Sequence, residues 1–270
     1  MLTPNFDTLI EIQEAFSDVF FFDKDHSYKI AGESAKISVS GLLSKYEKPF
    51  NSDKIAPNIA KKRGIDVYQL LNEWNDAKEY SCHKGSEFHL HIENFLERKL
   101  MPIDKSSFEE FNKKHTRYDI NEYYNEMAII IKSFRDFYDW WKQDHILIKS
   151  EFVIGDKEFM IGGTIDNISY NKKTKKFVIF DYKTNKKIDK KNSYGEKMLR
   201  PVDHLDKCEF NKYSLQLNMY SLLFEKNTNF KVDDCYIVWF PNQINSTYEI
   251  LKCIDVKKEC NLILNDTKYI

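Results

Sequence analysis

Apolar residues recur along this chain in two rhythms, and the switch between them divides it. Within 18–40 the alternation is strand-like in Val19-Phe-Phe-Phe22, Ser27-Tyr-Lys-Ile30 and Ile37-Ser-Val-Ser40, which predicts a hairpin. From 52 to 98 the spacing turns helical. The KKRG punctuation at 61–64, just after Ile59, predicts a short helix separated from a longer pattern at 66–80. A second helix is expected to start near Gly85, with Phe88, Ile92, Phe95 and Leu96 on one stripe. Residues 100–118 are polar and read as a loop. Residues 120–144 predict a long amphipathic helix with Tyr124, Ala128, Ile131, Phe134, Phe137, Tyr138 and Trp141 on its inner face.

Period two then returns. Ile148–Ile154 and Phe159–Ile161 read as strands joined at Gly155-Asp156, and Asp166–Tyr170 and Phe177–Tyr182 as strands joined by the turn NKKTKK. From 185 to 212 the chain is polar and aperiodic, a length uncommon without a functional reason. Tyr213–Phe224 reads as helix and Cys235–Phe240 as a buried strand. This order predicts an α/β fold with α+β character, a central mixed β-sheet flanked by helices. With no repeat or long linker, residues 1–270 are expected to form a single domain. Its parts are an N-terminal hairpin and helices (1–84), a core (85–240) and a C-terminal extension (241–270).

Composition narrows the class. Hydrophobic residues make up 42% and charged residues 31% of 270, an ordinary globular balance. Aromatics reach 15%; about four in five are expected in the core, the rest being free to stack on bases. Five cysteines without a CxxC pair predict reduced thiols in a cytoplasmic setting and no structural zinc. No signal peptide or membrane span is legible. The net charge of −1 gives no overall pull toward nucleic acid, but the distribution is uneven. Residues 1–25 carry six acids against Lys24, whereas 171–200 carry eleven Lys or Arg against Asp181, Asp189 and Glu196.

The chemistry-bearing residues gather beside that basic stretch. Asp166 follows Gly162-Gly163-Thr-Ile, and Asp181 comes fifteen residues later, so a tight hairpin brings the carboxylates together. Lys183, two residues on, shares a strand face with Asp181. Two carboxylates and an ammonium suit phosphodiester hydrolysis. The carboxylates can hold Mg²⁺ or Mn²⁺, and the lysine can orient water or offset transition-state charge. A lone D-x-K is ordinarily a solvated strand end, so order across segments carries the weight. Gln216 and Tyr220 lie one turn apart on a helix, and Gly85, His89 and Glu93 stand at i, i+4 and i+8 on another. Glu151 precedes the Gly-Gly pair and can reach the same place.

Gly85-Ser-Glu-Phe-His89, Gly163-Thr-Ile-Asp166, Asp181-Tyr-Lys-Thr184 and Gln216-Leu-Asn-Met-Tyr220 resemble, in order, the motifs of the RecB-type branch of the PD-(D/E)xK nuclease superfamily. They span about 85–220. Ile37-Ser-Val-Ser-Gly-Leu-Leu and the stretch from Asp203 to Gln216 look like bacteriophage members, and the group includes the mitochondrial genome maintenance exonuclease. The resemblance implies a restriction-endonuclease-like core. It implies metal binding by His89, Asp166, Asp181 and the Tyr182 carbonyl, with Glu151 and Glu93 as further candidates. Asp166, Asp181, Lys183, Gln216 and Tyr220 are the expected catalytic set, in which Lys183 positions water and Gln216 and Tyr220 orient the site. Some relatives hold an iron–sulfur cluster; the spacing of Cys235, Cys253 and Cys260 does not match, so none is expected.

DNA is the expected partner, single-stranded or with free ends. Its phosphates would meet Lys172, Lys173, Lys175, Lys176, Thr184 and Lys186, and further along Lys187, Lys190, Lys191, Lys197 and Arg200, with Tyr194 free to stack on a base. Other replication or recombination proteins are conceivable partners; a membrane is not expected. The expected activity is a metal-dependent DNA exonuclease acting in replication, recombination or repair. The alternatives are an endonuclease of the same fold, for restriction or junction cleavage, and a non-catalytic nucleic-acid-binding subunit.

Overall fold

The computed structural model describes residues 4, 6–99, 105–115, 118–241 and 247–267. Helix α1 (Phe6–Ala15) leads into the hairpin β1 (Val19–Phe22) and β2 (Ser27–Ile30), to which β3 (Glu33–Ser34) adds a third strand. The expected third segment behaves differently. β4 (Ile37–Ser38) leaves the hairpin and pairs in parallel with the main sheet, and Val39–Ser44 turns into helix α2, capped by Ser38.

Helix α3 (Ser52–Arg63) ends at Gly64, whose φ of 65° is the left-handed cap conformation that glycine adopts without strain. Helix α4 (Val67–Leu96) then runs for 30 residues, started by the Asp66 carboxylate accepting from Tyr68 N at 2.7 Å. No second helix starts at Gly85. Glycine costs a helix about 1 kcal/mol relative to alanine, too little to break one whose buried residues Leu70, Phe88 and Ile92 pin both halves.

The expected loop at 100–118 contains helix α5 (Lys105–Lys114), while 100–104 and 116–117 lie outside the described residues. Phe108 and Phe111 dock it: Phe108 stacks on Tyr123 at 4.0 Å and Phe111 on the His83 ring at 4.8 Å. Helix α6 (Ile120–Asp144) has the expected bounds and is capped by Asp119. Its buried face is rotated from the expected one, including Tyr123, Met127 and Ile130 and leaving Ala128 exposed.

Strands β5 (His145–Asp156), β6 (Ile161–Asn171) and β7 (Lys176–Lys183) form the meander. Ile161–Asn171 is one continuous strand, so Gly162-Gly163 lies inside it and is not a bend. Helix α7 (Glu209–Asn227), β8 (Val232–Trp239), β9 (Glu249–Lys252) and helix α8 (Lys257–Thr267) complete the chain. The sheet has the order β4-β6-β7-β8-β9 with β5 on the other side of β6, and is mixed because β4–β6 and β7–β8 are parallel. This is the expected mixed α/β architecture. Residues 185–208 lack helix and strand, the last four of the expected irregular stretch already belonging to α7, and the segment is anchored by Ile188, Met198, Val202 and Cys208, all buried. Among the described residues no helix is long and apolar enough to cross a membrane.

Alternation along β7 divides the core. Phe177 and Ile179 pack with α7 and α8, whereas Val178, Phe180 and Tyr182 pack with Phe134 and Phe137 of α6 and Phe88 of α4. Asp181 and Lys183 continue the first face. The site therefore forms where a polar segment of β7 emerges between two apolar layers.

Candidate active site

β6 and β7 pair only as far as Asn167↔Phe180. Beyond that rung the strands part. β6 turns to β4 at Ile161 and Gly162, while β7 stays with β8 through Lys183↔Trp239. The Asp166 carboxylate fills the fork: Tyr182 N donates to its Oδ2 at 2.8 Å. A fork in a sheet exposes backbone groups that a side chain must satisfy, and an acid does so while keeping one oxygen for other use.

Glu151 enters from β5, at the position opposite Asp166 and beyond a bulge after Leu147. Its φ of 44° lies in the left-handed region, which costs a non-glycine residue on the order of 1 kcal/mol and re-aims its side chain. His89 reaches in from α4, with Nδ1 at 3.3 Å from Glu151 Oε1 and 3.7 Å from Asp166 Oδ2. Its Nε2 lies 3.2 Å from the Tyr182 carbonyl. One ligand atom from each of His89, Glu151 and Asp166 lies within 4.8 Å of the others. Two carboxylates and an imidazole, with a carbonyl beside them, are a donor set that fits a divalent cation.

Asp181, expected among the ligands, stands apart from this trio. It is only 2% exposed, and its Oδ2 pairs with Lys183 Nζ at 2.5 Å. A carboxylate so buried needs a counter-charge, and the next residue on its strand face supplies one. Glu93 lines the same cleft as His89, one turn further along α4, outside the trio.

Charges in this pocket shift one another. Burial pushes the Asp181 carboxyl up to about 6, with Asp166 adding to the effect and Lys183 opposing it. Burial also raises Asp166 by more than His89 and Lys183 lower it. Burial pulls His89 down, but Asp166 and Glu151 outweigh it and lift the imidazole to about 9. Lys183 is likewise held above the usual ammonium range, since Asp181 and Asp166 overcome its desolvation.

Gln216 and Tyr220 sit together on α7, with Gln216 Nε2 donating to the Tyr220 hydroxyl at 2.9 Å. Burial keeps that hydroxyl protonated. Tyr220 lies against Gly163 so closely that a Cβ there would be 2.5 Å from its Cε1. Gly163 is thus a close approach of strand to helix, and Gly162 a close approach of strand to Tyr28 of the hairpin.

Two residues that the motifs did not single out join the site. Tyr213 presents its ring 5.0 Å from Lys183 Nζ and is one helical face with Gln216 and Tyr220, at i, i+3 and i+7. That spacing is legible in the sequence. Tyr28 of the hairpin places its hydroxyl 3.0 Å from Thr164 Oγ1, a contact across 136 residues with no local signal.

The basic stretch divides. Thr184 and Lys186 line the cleft of about 1220 Å³ that opens over His89 and Glu151. The turn carrying Lys172, Lys173, Lys175 and Lys176 lies at the far end of the β6–β7 hairpin, roughly 17 Å from Asp166 at strand rise. It does not flank the site. Lys173 pairs there with Asp144 at 2.6 Å and Lys176 with Asp233 at 2.7 Å, while Lys172 donates to the Lys142 carbonyl. Within 185–212, Lys187 pairs with Asp189, Lys197 with Asp206 and Arg200 with Asp203, and Lys190 lies over the Phe210 ring. Lys191 and Tyr194 are exposed and outside the cleft lining. Other cleft walls are acidic and aromatic, with Glu122, Tyr118, and Glu126 bonded to Lys84 and Tyr80.

Residues 66–257 match the PD-(D/E)XK nuclease superfamily, well over half of the chain. The chain belongs to that superfamily. Nucleases of this family act on DNA with divalent metals, and the six-stranded mixed sheet is consistent with its fold. A solved structure described as a "putative exonuclease" from Eubacterium rectale is similar at 12% identity with a TM-score of 0.42. The likeness covers 70% of this chain but 65% of that one, so this chain spans less than two thirds of that protein. No curated protein matches it significantly in sequence.

Proposed function

We propose that this nuclease is a Mg²⁺- or Mn²⁺-dependent DNA exonuclease of the RecB-type branch, acting on single strands or DNA ends in replication, recombination or repair. The observation that carries the metal-dependent chemistry is the convergence of His89, Glu151 and Asp166, from three separate elements, beside the buried Asp181–Lys183 pair. His89, Glu151 and Asp166 would hold the cation, with Asp181 and the Tyr182 carbonyl adjoining. When bound, the cation supplies a polarised phosphoryl oxygen and a water of lowered pKa.

The chain's own groups do the rest. Lys183 stays protonated at neutral pH, so it acts as a charged donor to the attacking water or a phosphate oxygen and not as a base. Asp181 fixes the ammonium in place. Tyr213 covers one side of it, and its ring face favours the cationic form. Gln216 occupies an acceptor position on the Tyr220 oxygen, which leaves the Tyr220 O–H as a donor toward substrate phosphate. Thr184 and Lys186, just past the D-x-K motif, would take the neighbouring phosphate.

The preference for ends and unpaired strands is supported by the cleft walls. Of the lysines lining the cleft, Lys183 and Lys186 come from the D-x-K segment and Lys84 is paired with Glu126, while Asp23 and Glu122 line other parts, and acids there disfavour a broad lateral duplex. A time course with Mg²⁺ or Mn²⁺ on end-labelled single- and double-stranded DNA, beside a circular single strand, tests this. The expected result is progressive shortening from an end with the circle intact. Cleavage of the circle would replace exonuclease by endonuclease.

A further inference from the structure

The hairpin wall of the cleft has no role in holding metal or phosphate, yet it is built with care. Phe21 and Tyr28 both line the cleft beside Glu151 and Thr164, their ring centroids 4.8 Å apart and their planes tilted by 39°. Tyr28 is fixed twice, by its hydroxyl contact with Thr164 and by its ring lying on Gly162, where a Cβ would be 2.5 Å from its Cγ. Thr164 is two residues before Asp166 on β6, so Tyr28 is anchored roughly 7 Å of strand from Asp166. Phe21 rests on Tyr28 and, more distantly, on His26. Asp23, in the hairpin turn, also lines the cleft. Negative charge there repels phosphate, whereas flat apolar rings suit the uncharged part of a nucleotide.

We propose that Phe21 and Tyr28 form a nucleobase subsite, in which the Phe21 ring stacks on the base next to the scissile phosphate and Tyr28 backs it. This rests on the reading of His89, Glu151 and Asp166 as the nuclease centre. A base inside a duplex has both faces covered by its neighbours, so away from a duplex end only an unpaired base can offer one to Phe21. The subsite therefore selects unpaired strand at the point of cleavage.

Binding of labelled single-stranded oligonucleotides, with Ca²⁺ replacing Mg²⁺ to limit hydrolysis, tests it. A single abasic site is stepped along the strand. The wild-type protein is expected to bind about five- to a hundredfold more weakly at one abasic position. Phe21→Ala is expected to lose a similar factor on intact strand together with that position dependence. Phe21→Trp should keep both, and Phe20→Ala, altering an exposed neighbour, should match wild type. Indifference to every abasic position, absence of single-strand binding, or wild-type behaviour of Phe21→Ala overturns the proposal. The abasic series uses unaltered protein, so a folding defect in a variant does not blur the answer. Metal-dependent cleavage by wild type is scored separately: cleavage without abasic dependence sinks the subsite alone, and absence of cleavage sinks the nuclease reading.

Discussion

Replacing Gly163 by alanine tests the link between the sheet and helix α7. The new Cβ would lie 2.5 Å from Tyr220 Cε1 and 3.3 Å from both Tyr220 Cδ1 and Val39 Cγ2. Carbon atoms rest at about 3.5–4.0 Å, so the ring must withdraw by about 1 Å. It has little room, since Tyr220 is 5% exposed and Leu217 and Leu223 on the same helix are fully buried. Overpacking of this kind costs about 1–3 kcal/mol, more than the 0.4–1 kcal/mol that losing a glycine returns through the unfolded chain. At about 2–4 °C per kcal/mol for a chain of this size, the melting midpoint should fall by about 2–10 °C. Withdrawal of the ring also separates Tyr220 from Gln216, so cleavage should slow at a temperature where both proteins are folded. Circular dichroism melts and initial cleavage rates read the two effects. In a Tyr220→Leu background, with the ring gone, Gly163→Ala should cost much less. A wild-type midpoint for Gly163→Ala, or an equal cost in both backgrounds, would refute the close-approach account.

Three further outcomes are expected. Metal-free protein should lose stability as pH rises from 6.5 to 9. His89 titrates at about 9 when folded against 6.5 unfolded, so its contribution, at most about 3 kcal/mol, is complete below 6.5 and gone above 9. Melts in chelator should show this slope and His89→Asn should flatten it; an unchanged slope in the variant contradicts it. Cation binding should displace that proton, so calorimetry at pH 7.5 in buffers of different ionisation enthalpy should register close to one proton released, and none released would remove His89 from the ligand set. Lys186→Ala should reduce the salt dependence of single-strand binding by about 0.7 in log–log slope, while Lys175→Ala should leave it unchanged. Equal effects from the two would restore the turn lysines to the interface.

Much of the fold is legible because periodicity reports burial. Helix 120–144 and the two strands around the NKKTKK turn stand where the pattern puts them, since each buries a continuous face. Gly85 misled because a glycine's helix penalty is smaller than the packing on either side. Helix α5 was hidden because two aromatics three residues apart suffice to dock a helix whose remaining surface is polar. Chain order brought His89, Asp166, Asp181, Lys183, Gln216 and Tyr220 into one region, but not their division of labour. The pairing of Asp181 with Lys183 follows from burial, and the closeness of Glu151 to His89 follows from a bulge and a positive φ, neither of which has a signature in residue type. Net charge along 171–200 suggested a single DNA-facing loop. Four of those ten lysines instead lie a full strand length away, where Lys173 and Lys176 answer local acids.

The most direct test of the account is the single-turnover rate of metal-dependent cleavage of an end-labelled single strand by Lys183→Ala against wild type. Removal of a preorganised charged donor predicts a loss of about 10²–10³-fold with DNA binding retained. Cleavage at the full wild-type rate would contradict the site.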